Sequence, residues 1–569
     1  MLLSNLNLLA TAPGGVAKLR ELILTLAVQG KLVPQDPADE PAGVLLQKIR
    51  AEKDRLIAEG KIKRDKPLAA IGEEEKPFGL PQGWEWVRAL DICALITDGD
   101  HQPPPKADTG VPFLVIGDVR TGAVLLQGAS RFVSESYFEK LDWGKKPFPG
   151  DVLYTTVGSF GIPVPVVQQQ RFCFQRHIAL LRPAVVDLQS YLALALRTTL
   201  AFAQAEKGAT GTAQKTVPLS VLRNLILPLP PLAEQSRIVT RVEALMRLCD
   251  ALEAKGQLEA AQHAQLVSTL LGTLTGSTTP EELAANWQRV AQHFDLLLDR
   301  PEAIDALEQT LLQLAVRGLL VPQDPTDEPA SALLQKIRAE KDRLIATGQI
   351  KRDKPLPPIT DEEKPFELPV GWEWVRMGAV VNESEAGWSP TCIGSPRRQG
   401  LWGVLKVSAV SWGEFDATAN KELPSDLVPR PEYEVRDGDF LLSRANTAEL
   451  VARSVVVEQA EPKLMLSDKI IRLAVSSQMN RSFLNMANNA SYAREHYAVN
   501  ASGTSSSMKN VSREVVLALP VPLPPLAEQS RIVTRVTALR RLCADLRQRL
   551  AEREAVQARL AEALVQEVA

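Results

Sequence analysis

The sequence predicts an α+β protein: two mixed α/β domains separated by two long antiparallel coiled-coil helical regions, in a pseudo-two-fold circular repeat. Three observations carry this. PLPPLAEQSRIVTRVEALMRLC, Pro228 to Cys249, returns almost unchanged as PLPPLAEQSRIVTRVTALRRLC, Pro522 to Cys543. VPQDPADEPAGVLLQKIRAEKDRLIAEGKIKRDKP, Val33 to Pro67, returns at Val321 to Pro355 with five differences in 35 positions, and both copies run on to GWEWVR, at Gly83 to Arg88 and Gly371 to Arg376. The sequence between GWEWVR and PLPPLAEQ diverges, and the offset between copies grows from 288 to 294, so the second copy has gained six residues there.

A chain of 569 residues is too long for one hydrophobic core. The repeats divide it into a helical lead-in at 1–83, a variable domain at 84–228, a central helical region at 229–371, a second variable domain at 372–522 and a last helix at 523–569. From Pro230 to Trp372 the chain takes 142 residues; from Pro524 to the end it takes 45 and from the start to Trp84 another 84, together 129. The two ends joined would nearly rebuild the central connector, which is the arithmetic of a two-fold molecule.

The connectors read as helix. Pro230-Pro231 fixes an extended entry, and Glu234 falls in the first turn, where the helix dipole favours an acid. Apolar residues follow at Ile238, Val242, Leu245, Cys249 and Leu252, spaced alternately by four and three, and again at Ile532, Val536, Leu539, Cys543, Leu546 and Leu550. At 1.5 Å per residue, Leu232 to Leu274 would extend on the order of 60 Å, the length of a spacer. LLQKIRAEKDRLIA, at Leu45 to Ala58 and Leu333 to Ala346, has helical period too and is expected to pair with the long helix. Its surface positions Gln47, Lys48, Arg50, Glu52, Lys53, Asp54 and Arg55 recur identically from Gln335, Lys336 and Arg338 to Arg343. Recent duplication or a duplicated partner surface would each produce that identity.

The variable segments carry short runs of Val, Ile, Leu, Phe and Thr between Gly, Pro and Asp, the pattern of strands and turns. A common skeleton survives: Pro149-Gly150-Asp151-Val152-Leu153-Tyr154 parallels Asp437-Gly438-Asp439-Phe440-Leu441-Leu442, and ATGTAQKTV (Ala209 to Val217) parallels GTSSSMKNV (Gly503 to Val511), aligning Lys215 with Lys509.

Composition excludes several classes. The leucine-rich start has no basic region and is broken at Pro13-Gly14-Gly15, so neither a signal peptide nor a membrane span is expected and the protein is read as cytoplasmic. Five scattered cysteines without a C-x-x-C pair argue against a disulfide framework or a zinc site. Net charge is −3, and Lys plus Arg against Asp plus Glu run 14 to 11 over 87–228 and 16 to 16 over 375–522, so any nucleic-acid contact must be local or shared with a partner. There is no Asn-Pro-Pro-Phe/Tyr or Asp-Pro-Pro-Tyr run, no Phe-x-Gly-x-Gly and no phosphate-binding loop, and Asp151 lacks the Asp/Glu-x-Lys companion of a nuclease site.

This organisation resembles the specificity subunit of type I restriction-modification systems over essentially the whole chain, PLPPLAEQ leading twice into a long helix being the most specific hallmark. ITDGDHQPPPKADTGVPFL with GDVLYTTVGSFG and FQRHIALLRP looks like one type of target-recognition domain, and GDFLLSRANTAELV with LSDKIIRL like another. The resemblance implies a subunit that is not an enzyme: each domain reads half of a split, asymmetric DNA target, and the helices bind two methyltransferase subunits and set the half-site spacing. Two restriction-translocase subunits would join in some complexes. S-adenosylmethionine, and Mg and ATP where a nuclease is present, would bind to the partners and no cofactor to this chain. The alternative is a pseudo-symmetric coiled-coil scaffold that binds no DNA.

Phosphate and base contacts need Lys, Arg, Ser, Thr, Asn, Gln or His in loops. The first domain offers His101, Gln102, Lys106, Thr155, Thr156, Ser159, Gln175, Arg176, His177 and Lys215. The second offers Arg397, Arg398, Ser443, Arg444, Asn446, Thr447, Lys469, Ser505, Ser506 and Lys509. Partner contacts are expected at Gln47, Lys48, Arg50 and Arg55, at Glu234, Gln235 and Arg237, and at their equivalents Gln335, Lys336, Arg338, Arg343, Glu528, Gln529 and Arg531.

Overall fold

The computed structural model describes residues 6–100, 104–127, 129–212, 214–277, 279–352, 354–503 and 508–568. The chain forms two compact units, one of residues 1–259 with 553–569 and the other of residues 260–552. Each contains one variable domain with its lead-in helices and a segment of each of the two long helices.

In the first unit Glu85–Arg88 pairs antiparallel with Ile226–Leu229, tying GWEWVR to the PLP that opens the long helix Leu232–Gly276. In the second unit Glu373–Arg376 pairs with Pro520–Leu523 in the same register, ahead of the helix Leu526–Val568. The variable domain is therefore a closed excursion whose entry and exit strands are neighbours. Inside it an antiparallel sheet runs, in spatial order, Cys93–Asp98, Ile178–Pro183, Val152–Thr155 and Pro163–Pro165. A three-stranded sheet of Phe132–Val133, Val111–Leu114 and Cys173–Phe174 flanks it. The second domain repeats both sheets: Val381–Ala386, Ile470–Val475, Phe440–Ser443 and Ser454–Val456, with Asn420–Glu422, Gly403–Leu405 and Leu464–Met465. GDVLYT and GDFLLS form the corresponding strand beside the central one, and every residue of Val152–Thr155 and Phe440–Ser443 is buried. The α+β reading holds.

The helical cores also correspond. In the first unit Val16, Leu19 and Ile23 of the helix Gly15–Val28 share a core with Ile238, Val242 and Cys249, and with Ala561 near the end of the other long helix. In the second, Ile304, Leu307 and Leu311 of the helix Pro301–Val316 share one with Cys543 and Leu550 and with Val267, Leu271 and Leu274. In each unit, then, the early turns of one long helix lie with the late turns of the other. Cys249 and Cys543 are buried seam residues, as their spacing predicts.

The helix that joins this seam is not the one expected. Arg20, on Gly15–Val28, bonds Asp250 at 2.7 Å and Glu253 at 2.8 Å, and Lys18 reaches Glu562 at 2.6 Å. The lead-in helix Ala42–Ala58 instead buries Ala42, Leu45 and Ile49 beside the variable domain, where Lys53 Nζ donates to the Leu90 carbonyl at 2.8 Å. Lys341 repeats this with the Gly378 carbonyl at 3.1 Å. The narrow apolar stripe of the lead-in helix suits one sheet-side contact, whereas Gly15–Val28 offers the broader apolar face that a bundle position needs. No helix among the described residues is long and apolar enough to cross a membrane.

Candidate partner and nucleic-acid interfaces

PLPPLAEQ builds an internal latch. Glu234 is 2% exposed; one carboxylate oxygen accepts from Trp84 Nε1 at 2.9 Å and the other from Gln35 Nε2 at 2.7 Å. Gln35 also donates to the Gly30 carbonyl at 3.1 Å, and Arg237 grips Asp39 at 2.6 and 3.2 Å. Gly30 has φ +70°, and a Cβ there would lie 2.4 Å from Pro81 Cγ, so glycine is required on both backbone and steric grounds. Unit two repeats each bond: Trp372 to Glu528 at 2.9 Å, Gln323 to Glu528 at 2.7 Å, Gln323 to Gly318 at 3.0 Å, and Arg531 to Asp327 at 2.6 and 3.3 Å. Gln235 and Gln529 donate to Pro230 and Pro524 carbonyls at 2.8 and 2.9 Å, closing the helix entry. Burial pushes the Glu234 and Glu528 carboxyls above the ordinary carboxylate range, against the opposing tryptophan bonds.

This corrects the sequence reading of Glu234, Gln235, Glu528 and Gln529 as partner contacts, while Arg237 and Arg531 keep 36% of their side chains exposed. The four Glu and Gln side chains are buried and the two arginines are paired to nearly buried aspartates, so their identity between copies is explained by the fold itself. The signal was available: Trp84, Gln35 and Asp39 recur with them, at Trp372, Gln323 and Asp327.

The outer face of the lead-in helices remains on the surface. Gln47, Lys48, Arg50 and Arg55 are exposed, as are Gln335, Lys336, Arg338 and Arg343, whereas Glu52 and Lys53 turn partly inward. Lys48 and Lys336 pair with Glu40 and Glu328 at 2.5 and 2.6 Å. Arg55 is held by Glu52 and Glu59; at the equivalent place Glu340 turns to Ser476, Ser477 and Asn382, and Arg343 has no ion pair among the described residues. Arg50 and Arg338 have none either among those residues.

At the far edge of each variable domain three segments converge. In the first, the Thr156 amide donates to the His177 carbonyl at 2.9 Å, Val217 donates to the Thr156 carbonyl at 2.8 Å, and Gly158 donates to the Lys215 carbonyl at 3.1 Å. In the second, the Arg444 amide donates to the Lys469 carbonyl at 2.7 Å, Val511 donates to the Arg444 carbonyl at 3.0 Å, and Ala445–Asn446 pairs with Lys509–Asn510. The backbone crossing is the same; the side chains are not. Thr156 and His177 stand where Arg444 and Lys469 stand. The exposed Arg176 and the burial of its imidazole lower the proton affinity of His177, burial being the larger cause.

This crossing collects Ser159, Gln175, Arg176, His177 and Lys215 around the buried Thr156 in one domain, and Arg444, Asn446, Thr447, Lys469 and Lys509 in the other. Lys215 is tethered to Glu206 at 2.8 Å, Lys509 to the Gly503 carbonyl at 2.7 Å and Lys469 to Asp468 at 3.1 Å, all on exposed or half-exposed surface from which a stronger anion can draw them. Arg444 is exposed without an ion pair among the described residues. Lys106 is exposed on a separate loop; His101, Gln102, Ser505 and Ser506 lie outside the described residues.

Thr155, Ser443 and Arg397 serve the fold instead, and Arg398 is tethered on the surface. Thr155 and Ser443, equivalent and fully buried, donate to the Ser159 and Leu450 carbonyls at 2.8 and 2.7 Å, fastening the turn that follows each strand. Arg397 donates to the Leu401 and Pro462 carbonyls and to Glu461. Arg398 is forked onto the buried Glu422 at 2.8 and 3.0 Å. The Asp151 of the Pro-Gly-Asp turn likewise meets Arg182, both bonds 2.7 Å, with Arg182 sandwiched between Trp143 and Phe148. It is a buried ion pair. Among the described residues no His, Cys, Asp and Glu cluster is placed to hold a metal ion.

Two variable domains of one fold, each with a polar crossing, on a duplicated helical frame define an internally repeated two-domain scaffold. A family model described as the type I restriction modification DNA specificity domain matches residues 81–262. The chain is 41% identical over 564 residues to the type I restriction enzyme EcoEI specificity subunit of Escherichia coli, covering 97% of this chain and 93% of the relative. It is 35% identical over 583 residues to the EcoAI specificity subunit of the same organism, with the same coverage of 97% and 93%. Among solved structures, the HsdS subunit from Thermoanaerobacter tengcongensis matches 86% of this chain and 98% of its own at 18% identity, with a TM-score of 0.38. The chain belongs to the family of type I restriction enzyme specificity subunits.

Proposed function

We propose that this subunit reads DNA for a type I restriction-modification complex, each variable domain contacting one half of a bipartite, asymmetric target. The observation that carries the reading is the contrast at the crossing: in one backbone arrangement held by corresponding hydrogen bonds, the half-buried His177 of the first domain gives way to the exposed Lys469 of the second, and the buried Thr156 to the exposed Arg444. A frame kept constant while its outward side chains change is what two different half-sites require, because base edges are told apart by the donors and acceptors that meet them.

The chain contributes position and no bond-making chemistry. Two methyltransferase subunits dock on the repeated lead-in surfaces around Arg50 and Arg338, bring S-adenosylmethionine and take the target base out of the stack. Restriction-translocase subunits with Mg and ATP join where the system cleaves, and the assembly works in the cytoplasm. The modest local charge is consistent with partners supplying part of the phosphate contact. The test is single-molecule methylation sequencing in a methylation-free host carrying the methyltransferase with and without this chain. A split motif that vanishes without the chain is expected; an active methyltransferase with no chain-dependent motif would return the molecule to the scaffold reading.

A further inference from the structure

A turn outside the crossing is also shared between the domains and differs at its tip. In the first domain the Asp118 amide donates to the Val115 carbonyl at 2.9 Å and Leu125 to the Asp118 carbonyl at 3.0 Å. In the second, Ala409 donates to Lys406 and Asp416 to Ala409, both at 3.0 Å, an offset of 291 in each case. That alignment superposes Val119-Arg120-Thr121-Gly122 on Val410-Ser411-Trp412-Gly413. Both valines are fully buried, and both glycines have positive φ, +82° and +92°. The tip is Arg-Thr in one domain and Ser-Trp in the other.

Trp412 is 74% exposed, whereas Trp84 and Trp372 are each 6% exposed. Its neighbour Ser411 is buried and fixed, donating to the Val407 carbonyl at 2.7 Å and accepting from Asn446 Nδ2 at 2.9 Å. Asn446 belongs to the strand paired with Lys509. Ser411 thus ties this turn to the crossing, while the indole of the next residue is left in water. A large apolar ring costs free energy in that state unless something covers it. The adjoining Glu414 is exposed and disfavours phosphate, so what the tip offers is the ring.

We infer that Trp412 is a specificity determinant of the second domain, its indole wedging against the face of an unstacked base in the second half-site. The inference rests on the DNA-reading proposal above. Apolar side chains are placed between base steps by many DNA-bending proteins, and a base face opens beside any nucleotide taken out of the stack by a methylating partner. The first domain, with Arg120 and Thr121 at the tip, reads its half-site by charge and hydrogen bonding at that point.

The assembled complex is compared with its Trp412→Thr and Trp412→Phe variants on target duplexes carrying 2-aminopurine at successive positions of the second half-site. The expected result is a fluorescence change at one step in the parent, kept by Phe and lost by Thr. Affinity of the Thr variant should fall roughly ten- to a hundredfold, with methylation sequencing showing the second half relaxed at that step and the first half unchanged. Thermal unfolding of the Thr variant should match the parent, since the ring touches solvent. Equal affinity, motif and fluorescence in parent and Thr variant would overturn the inference and leave DNA reading standing. A parent complex without any chain-dependent motif would overturn both.

Discussion

Trp84 and Trp372 sit in matching surroundings, each giving its indole hydrogen to a buried glutamate at 2.9 Å while a glutamine holds the other oxygen at 2.7 Å. Thr156 and Arg444 also occupy one backbone position twice, yet share no side-chain chemistry. The difference teaches where each constraint comes from. A buried carboxylate needs both donors, since leaving one oxygen unmatched in the interior costs more than the bond itself gains. At the crossing the backbone bonds hold the fold, so the side chain on them can be a buried threonine in one domain and an exposed arginine in the other.

The comparison is broken most severely at an intermediate place, the Asp just before the strands Val152–Thr155 and Phe440–Ser443 of the two variable domains. Asp151 is the only carboxylate bonded to Arg182 among the described residues, and their side chains are 2% and 8% exposed. Each arginine also donates to two carbonyls, Arg182 to Trp143 and Lys146 and Arg472 to Glu432 and Glu434, but only Arg472 keeps a second carboxylate, Glu385, besides Asp439. Asp151→Ala is expected to destabilise the first domain by about 3–5 kcal/mol, by stranding a buried charge. Asp439→Ala should cost the second about 1–2 kcal/mol. Urea unfolding followed by hydrogen exchange of each domain measures both; equal losses would contradict the asymmetry.

The latch should respond symmetrically. Trp84→Phe and Trp372→Phe are each expected to cost about 1–3 kcal/mol, by removing one donor from a buried glutamate, and the two losses should agree. A clear inequality in melting would separate what the geometry equates. The pH dependence has a definite sign. Glu234 and Glu528 are raised in the folded state, so their contribution to stability declines as pH rises from the ordinary carboxylate value through the folded one. Glu528→Gln should remove that decline, Gln323 turning its amide to meet the new side chain. Glu363 behaves oppositely. The Arg376 guanidinium and the Thr360 amide hold it at about 2, so its contribution is present above the ordinary value and lost as pH falls towards 2. Its side chain is 37% exposed, which keeps the effect small.

Much of this was legible in the residues. The four-and-three spacing located the long helices, and the Gly-Asp turns located corresponding strands, because periodicity and turn chemistry are local properties. The roles of Glu234, Gln235 and Arg237 were not, because conservation between copies is equally expected of a buried latch and of a docking surface. Burial distinguishes them, Glu234 and Gln235 each being 2% exposed. Thr155 and Ser443 were misplaced for a related reason: a hydroxyl after a strand reads as a loop donor, and its burial depends on a turn closing over it. Trp412 was passed over because charge and hydrogen-bonding capacity guided the choice of reading residues, and an aromatic tip has neither.

The smallest structural effect and the cleanest functional one are expected at Arg50 and Arg338. Both are exposed on nearly identical helices and lack ion pairs among the described residues, so Arg→Ala at either should change stability by no more than about 0.5 kcal/mol. Arg55 and Arg343 would be a poorer pair, since Arg55 is already engaged by Glu52 and Glu59 and Arg343 is not. If the duplicated face binds the same partner twice, one substitution weakens one site, roughly tenfold for an interfacial arginine, and leaves the other intact. Mass photometry at limiting methyltransferase should then shift the dominant species from two partners to one for Arg50→Ala and for Arg338→Ala alike, and to none for the double variant. Full occupancy in the double variant would mean that the identity of these helices records their origin by duplication, and that the partner docks elsewhere.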